Sequence, residues 1–279
     1  MPQISVRGCE MPESPIRKLA PLAFEAKQRG VHVYHLNIGQ PDLPTPQKAL
    51  DAIRNIDRTI LEYSPSQGYL SYRNKLVDYY AKYNINLTAD DIIITSGGSE
   101  AVLFSFLACL NPGDEIIVSE PAYANYMSFA ISAGAVIRTV TTTIDEGFCL
   151  PKVERFEELI NERTKAILIC NPNNPTGDLL SRDYIRKLLC HCRDKGIFVV
   201  LDECFIEFSG TEFSMVQEIE QFENLILVRA FTKIFAIPGV RLGYLVCSNQ
   251  ALLDDIQRQL PEWNLSTFAQ MAGCVCTGQ

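Results

Sequence analysis

Seven short runs rich in β-branched residues recur along the chain: 91-DIIIT-95, 115-EIIVS-119, 136-VIRTV-140, 166-AILIC-170, 197-IFVVLD-202, 225-LILVRA-230 and 243-GYLVC-247. Between them lie segments of helical periodicity, among them 99-SEAVLFSFLACL-110 and 181-SRDYIRKLLCHCRDK-195. Strands joined through helices make crossover connections. The expected fold is therefore α/β, three layers (α/β/α) around a mostly parallel seven-stranded sheet. The run 197-IFVVLD-202 is apolar up to its last residue, as a strand covered on both faces should be. In such sheets ligands collect at the carboxyl ends of the strands, so the residues there carry the chemistry.

Ahead of the first strand, residues 1–35 read as an arm and a helix, with IRKLAPLAFEAKQRG ending at Gly30. Then come the Gly- and Pro-bearing loop 36-LNIGQPDLPTP-46, a helix through ALDAIRNI, and a loop leading into an amphipathic helix within 61–83. Residues 36–279 are expected to form one large domain, without internal repeats or low-complexity tracts.

Composition narrows the partners. With 33 acidic against 25 basic residues the net charge is −8, so there is no positive field for nucleic acid or an anionic membrane surface. No apolar run reaches the roughly eighteen residues of a membrane span, and the start, MPQISVRGCEMPESPIRKL, has no apolar signal core. A cytoplasmic location is expected, with the ten cysteines reduced and mostly in the core. Cys190-His191-Cys192 and Cys274-Val275-Cys276 lack the two-residue spacing of a metal site, so no metal is expected.

Four strand ends stand out. After the first strand, 95-TSGGSEA-101 opens directly into a helix, where the amides of Gly97, Gly98 and Ser99 either cradle an anion or merely make a turn. The fourth strand runs into 171-NPNNPTG-177, a turn that also presents the Asn174 amide at the sheet edge; proline there lowers the cost of a cis bond. The fifth ends in Asp202, an acid that needs a cationic or donor partner to stay charged. The sixth leads into 229-RAFTKIFAIPGVRLGY-244, which sets Lys233 among apolar residues and follows it with Arg241. An anion cradle, an amide, a buried acid and a desolvated amine match the phosphate, phenolic oxygen, ring nitrogen and aldehyde of pyridoxal 5'-phosphate. Only a primary amine condenses exchangeably with an aldehyde, and desolvation beside a cation makes it reactive.

With these residues in view, the chain resembles the fold-type I pyridoxal-phosphate enzymes of the class I and II aminotransferase superfamily, over roughly residues 10–279. The resemblance implies that Lys233 bonds the cofactor and moves protons, that Asp202 pairs with the ring nitrogen, and that Asn174 bonds the phenolic oxygen. It further implies that Gly97, Gly98, Ser99, Thr232 and Arg241 hold the phosphate and that Tyr123 stacks on the ring. Tyr63 matches a tyrosine lent across a homodimer interface, and Gly39 matches a backbone contact to the substrate carboxylate, with Asn174 beside it. The activity implied is transfer of an amino group from an amino acid to a 2-oxo acid.

The chain also departs from the family. Ala230 stands where Ser or Thr usually helps bind phosphate, and Phe205 replaces a tyrosine that donates to the phenolic oxygen. Phe205 and 257-QRQLPEWNLSTFAQ-270 resemble the branch holding histidinol-phosphate aminotransferase and threonine-phosphate decarboxylase, whereas 36-LNIGQPDLPTP-46 resembles aspartate or aromatic aminotransferases. Two alternatives follow: decarboxylation of an amino-acid phosphate, or cofactor binding without catalysis. Family members continue into a small C-terminal domain that supplies an arginine for the substrate carboxylate, so a truncated chain with exposed apolar surface is the expectation.

Overall fold

The structure is a computed structural model and describes residues 2–278. Met1 and Gln279, the outer limits of the expected arm and domain, lie outside the described residues. All seven runs form strands: β1 (Ile92–Thr95), β2 (Glu115–Glu120), β3 (Val136–Thr141), β4 (Thr164–Cys170), β5 (Phe198–Asp202), β6 (Leu225–Ala230) and β7 (Gly243–Val246). They make one sheet in the order β1-β7-β6-β5-β4-β2-β3. The β2–β3, β2–β4, β4–β5 and β5–β6 pairs are parallel, while β7 runs antiparallel to both β1 and β6.

The two-residue period of a strand divides the core into two clusters, one on each side of the sheet. Ile167, Ile169, Val199, Leu201, Leu225 and Leu227 join one cluster, with Tyr72, Leu76, Leu188 and Leu189 from helices Leu70–Ala81 and Arg182–Arg193. Ala166, Leu168, Val200, Ile226 and Val228 join the other. There helices Gly98–Cys109, Asn125–Ala133 and Gln250–Gln259 supply Phe106, Ala130 and Leu253. Strands β4 to β6 are buried almost throughout because both faces are covered. Edge strand β3 is mostly solvent-facing, and its Arg138 and threonines keep that edge polar.

The expected N-terminal helix is a 3₁₀ turn (Arg17–Leu19) followed by an α-helix (Ala20–Gln28), and Gly30 ends it with φ +79°. That α-helix buries none of its residues, and Leu22 and Phe24 are exposed. All ten cysteines are free, but Cys9 and Cys149 lie at the surface rather than in the core. Among the described residues, no helix is long and apolar enough to cross a membrane, and no cluster of His, Cys, Asp or Glu could hold a metal ion.

Candidate active site

The carboxyl ends of the parallel strands open into a cleft of about 610 Å³. It is lined by Gly39, Gly98, Ser99, Tyr123, Asn174, Asp202, Thr232, Lys233 and Arg241. Residues scattered over two hundred positions of sequence thus share one cavity, because successive parallel strands deliver their ends to the same edge.

The floor begins where β1 turns into the helix Gly98–Cys109. Gly97 has φ +94°, a conformation costly for any residue with a side chain. A Cβ on Gly97 would lie 2.5 Å from Arg241 Nη2, and one on Gly98 would lie 2.8 Å from Cys204 Sγ. The two glycines therefore let the guanidinium and the thiol close against the first amides of the helix. Those amides, the positive end of the helix, the Ser99 hydroxyl and Arg241 together offer the donors and positive charge that an anion needs. Arg241 has φ +59° and donates to the carbonyls of Pro238 and Ser96 at 3.1 and 3.4 Å, which anchors it over this turn.

Asp202 ends β5 on the same side of the sheet, only 8% exposed. Tyr126 Oη donates to its Oδ2 at 2.7 Å and the Cys204 amide donates to its Oδ1 at 2.9 Å, so the carboxylate is positioned by two donors. Burial, then the Asp202 charge, raises the Tyr126 hydroxyl well above its ordinary range and keeps it a donor. The same two causes, in the same order, keep the Cys204 thiol protonated. Neither Tyr126 nor Cys204 was singled out from sequence. Tyr126 lies three residues beyond Tyr123 in the first turn of a helix, and Cys204 two beyond Asp202; those offsets were the available signals.

Lys233 sits in a single helical turn, Phe231–Ile234, directly after β6. Phe231 fixes that turn by packing edge-on against Phe235 and Tyr244. Lys233 is half-buried, and its Nζ donates to the Gly39 carbonyl at 2.7 Å. Burial lowers its pKa, and the nearby Arg241 charge lowers it further. More of the amine is therefore neutral and nucleophilic at a given pH than for a solvated lysine. Thr232 is buried at the cleft edge, and Ala230 and Phe205 line it, offering no hydroxyl where the family usually has one.

Tyr123 borders the cleft, accepts from Asn125 Nδ2 at 2.8 Å and meets the Tyr126 ring edge-on at 5.4 Å. Asn174 follows β4 on a turn whose Asn174–Pro175 bond is cis. Tyr63 is not brought to this cleft. It is 76% exposed and stacks on Trp263, ring centres 4.5 Å apart.

The acid next to Asp202 serves a separate, closed site. Glu203 is fully buried on the opposite side of the sheet and accepts from Ser214 Oγ at 2.7 Å and the Met215 amide at 2.8 Å. Arg229 Nη2 lies 2.9 Å from Glu203 Oε2, and its Nη1 donates to Glu207 Oε1 at 2.6 Å.

The sequence pattern described as aminotransferase class I and II matches residues 31–274. The chain is 31% identical to an aspartate aminotransferase of Thermotoga maritima over 245 residues, which cover 85% of this chain and 65% of that protein. An aspartate aminotransferase of Pyrococcus horikoshii is 31% identical over 278 residues, 97% of this chain and 69% of that protein. The crystal structure of the Thermotoga maritima aspartate aminotransferase superposes with a TM-score of 0.90 at 27% identity, over 99% of this chain and 75% of that one. That of a Thermus thermophilus aspartate aminotransferase with maleate gives 0.89 at 29% identity, over 99% and 73%. The chain thus spans about two thirds of the length of these curated relatives, and over that span it belongs to the class I and II aminotransferase family.

Proposed function

We propose that the protein is a pyridoxal-phosphate-dependent aminotransferase that moves an amino group from an amino acid to a 2-oxo acid. The observation carrying this reading is one cleft that holds a half-buried amine with a lowered pKa, a carboxylate positioned by two donors, and a guanidinium over a helix N-terminus. The residues fit the cofactor. Gly97 and Gly98 leave room where side chains would collide, and the donors there suit a phosphate. Family membership and relatives named as aspartate aminotransferases support the same chemistry.

When bound, pyridoxal phosphate supplies an aldehyde that condenses with amines and a ring that withdraws electrons from the carbon next to the nitrogen. Arg241, the Ser99 and Thr232 hydroxyls, and the amides of Gly97, Gly98 and Ser99 would hold the phosphate. Asp202, braced by Tyr126, would keep a proton on the ring nitrogen, and Asn174 would donate to the phenolic oxygen. Tyr123 would pack against the ring. Lys233 Nζ would be the amine that bonds the cofactor and, when free, would take a proton from the substrate's α carbon as general base and return it as general acid. Gly39 offers backbone contact to the substrate carboxylate. Residues 36–279 form the cofactor-binding domain and 1–35 its arm.

A homodimer belongs to this reading, with Tyr63 reaching the phosphate of the neighbouring copy. Its exposed ring, braced by Trp263, supports that role. Ten free cysteines suit a reducing, cytoplasmic setting. The test is direct: purified protein mixed with pyridoxal phosphate should acquire a visible absorption band, and an amino donor should then yield its 2-oxo acid. Protein that stays colourless in excess cofactor would refute the proposal.

A further inference from the structure

We infer that Glu100, a residue behind the cleft lining, is a positioning residue for the turn that meets the cofactor phosphate, holding that turn and its arginine in place through the Ser96 amide. The inference rests on the aminotransferase reading above and adds a residue to its phosphate end. Glu100 stands in the first turn of helix Gly98–Cys109, three residues after Gly97. An acid there ordinarily answers the positive end of its own helix. This one reaches further back. Its Oε2 accepts from the Ser96 amide at 2.6 Å, and the carbonyl of the same Ser96 accepts from Arg241 Nη2 at 3.4 Å. Ser96 therefore stands between the carboxylate and the guanidinium, bonded to one through its N–H and to the other through its C=O.

The next peptide is fixed as well. The Gly97 carbonyl accepts from the buried Thr95 Oγ1 at 3.0 Å and from the Glu100 amide at 3.2 Å. In a trans peptide the N–H points away from the C=O, so the Gly98 N–H is turned away from these partners, and Gly98 lines the cleft. Displacing Ser96 would shift both this amide and the anchor of Arg241. Glu100 is held in turn by a distant segment. Asn264 Nδ2 donates to the same Oε2 at 3.2 Å. Asn264 directly follows Trp263, whose φ of +58° is strained for a bulky residue. Such strain persists where the surroundings over-determine the backbone. Here the Trp263 amide donates to Ser66 Oγ at 3.2 Å and its ring stacks on Tyr63. Burial raises the Glu100 carboxyl, and the Ser96 amide, then Asn264, offset part of that rise by favouring the carboxylate that accepts from both. Bonds to an ionised acceptor are the stronger kind, so their loss should loosen the turn.

The test titrates the full chain with two probes, pyridoxal phosphate and pyridoxal, which has the same ring and aldehyde without the phosphate. Growth of the visible band gives a dissociation constant for each, so binding is read apart from turnover. Glu100→Ala should weaken pyridoxal phosphate about tenfold, the worth of one bond to a charged group, and leave pyridoxal within about twofold of the parent. Glu100→Gln keeps an acceptor for the Ser96 amide and should bring pyridoxal phosphate back to within about threefold of the parent. Unchanged or tighter pyridoxal phosphate binding by Glu100→Ala, equal weakening of both probes, or a glutamine variant as weak as the alanine one each overturns the inference. Should Glu100→Ala fail to fold, Asn264→Ala decides in its place: pyridoxal phosphate at least about twofold weaker with pyridoxal unchanged supports the role, and any other result overturns it. If the parent forms the band and the variants match it, the positioning role alone falls. If the parent forms no band, the aminotransferase reading falls and takes this inference with it.

Discussion

Asp202 and Glu203 are neighbours at the end of β5, yet they serve opposite ends. The strand's two-residue period sends them to different sides of the sheet, Glu203 into a closed ionic cluster and Asp202 into an open cleft. In the cluster the charges face one another: burial raises the Glu203 carboxyl above its ordinary value, with the neighbouring Glu207 charge adding to it, and Arg229, Ser214 Oγ and the Met215 amide offset only part of that rise. In the cleft, Lys233 and Arg241 donate to backbone carbonyls, and among the described residues neither is paired with an acid. A buried charge matched inside the chain builds scaffold. A charge left facing a cavity is available to something that enters.

The contrast breaks most sharply at Lys233. Lys233→Ala should abolish the visible band and lower amino transfer by about 10⁴-fold or more, since both the covalent bond and the proton carrier are lost. The denaturation midpoint should hardly move, because the amine's partner is one backbone carbonyl at the cleft edge. Unchanged transfer with a displaced midpoint would mean that Lys233 belongs to the scaffold.

The converse holds in the cluster. Arg229→Met leaves two acids facing each other without a cation, and should cost about 3–5 kcal/mol in urea unfolding. Adding Glu203→Gln should recover part of that loss, as coupled partners do. If the single variant unfolds like the parent, the cluster contributes no scaffold.

Tyr126→Phe tests the link between the two behaviours, a scaffold-like donor serving the open acid. Losing a hydrogen bond to a charged group, about 1.5 kcal/mol, should slow transfer about tenfold with the substrate KM little changed. A rate equal to the parent's would show that Asp202 keeps its place without Tyr126.

The smallest effect concerns pH. Glu115 is held down to about 2 by hydrogen bonds from Arg138, against its burial, with Asn161 and Arg163 assisting. Its folded form favours the carboxylate, so this stabilisation is present above the ordinary value of 4.5 and is lost as pH falls toward about 2. Acid unfolding of Glu115→Gln should lack that portion of the pH dependence. Parallel curves for the two proteins would remove Glu115 from the account.

The strands were legible in the sequence because β-branched runs bounded by turn residues encode a local preference that burial on both faces reinforces. Lys233, Asp202, Asn174 and the Gly97–Gly98 turn were legible because each breaks an apolar or regular pattern at a strand end. Tyr126 and Cys204 were hidden for the opposite reason: an aromatic and a thiol in apolar surroundings look like ordinary core.

By itself, then, the sequence determined which segments are strands and which polar residues interrupt them, since both follow from short-range pattern. Pairing was decided in three dimensions. Only the sheet order, with antiparallel β7 between β1 and β6, sets Arg241 over Gly97 and turns Lys233 toward Gly39. Only the packing of helix Asn125–Ala133 against its face of the sheet brings Tyr126 to Asp202. Contacts between residues 76 to 194 positions apart depend on which strands become neighbours, and that choice is made by burying both faces of the whole sheet at once.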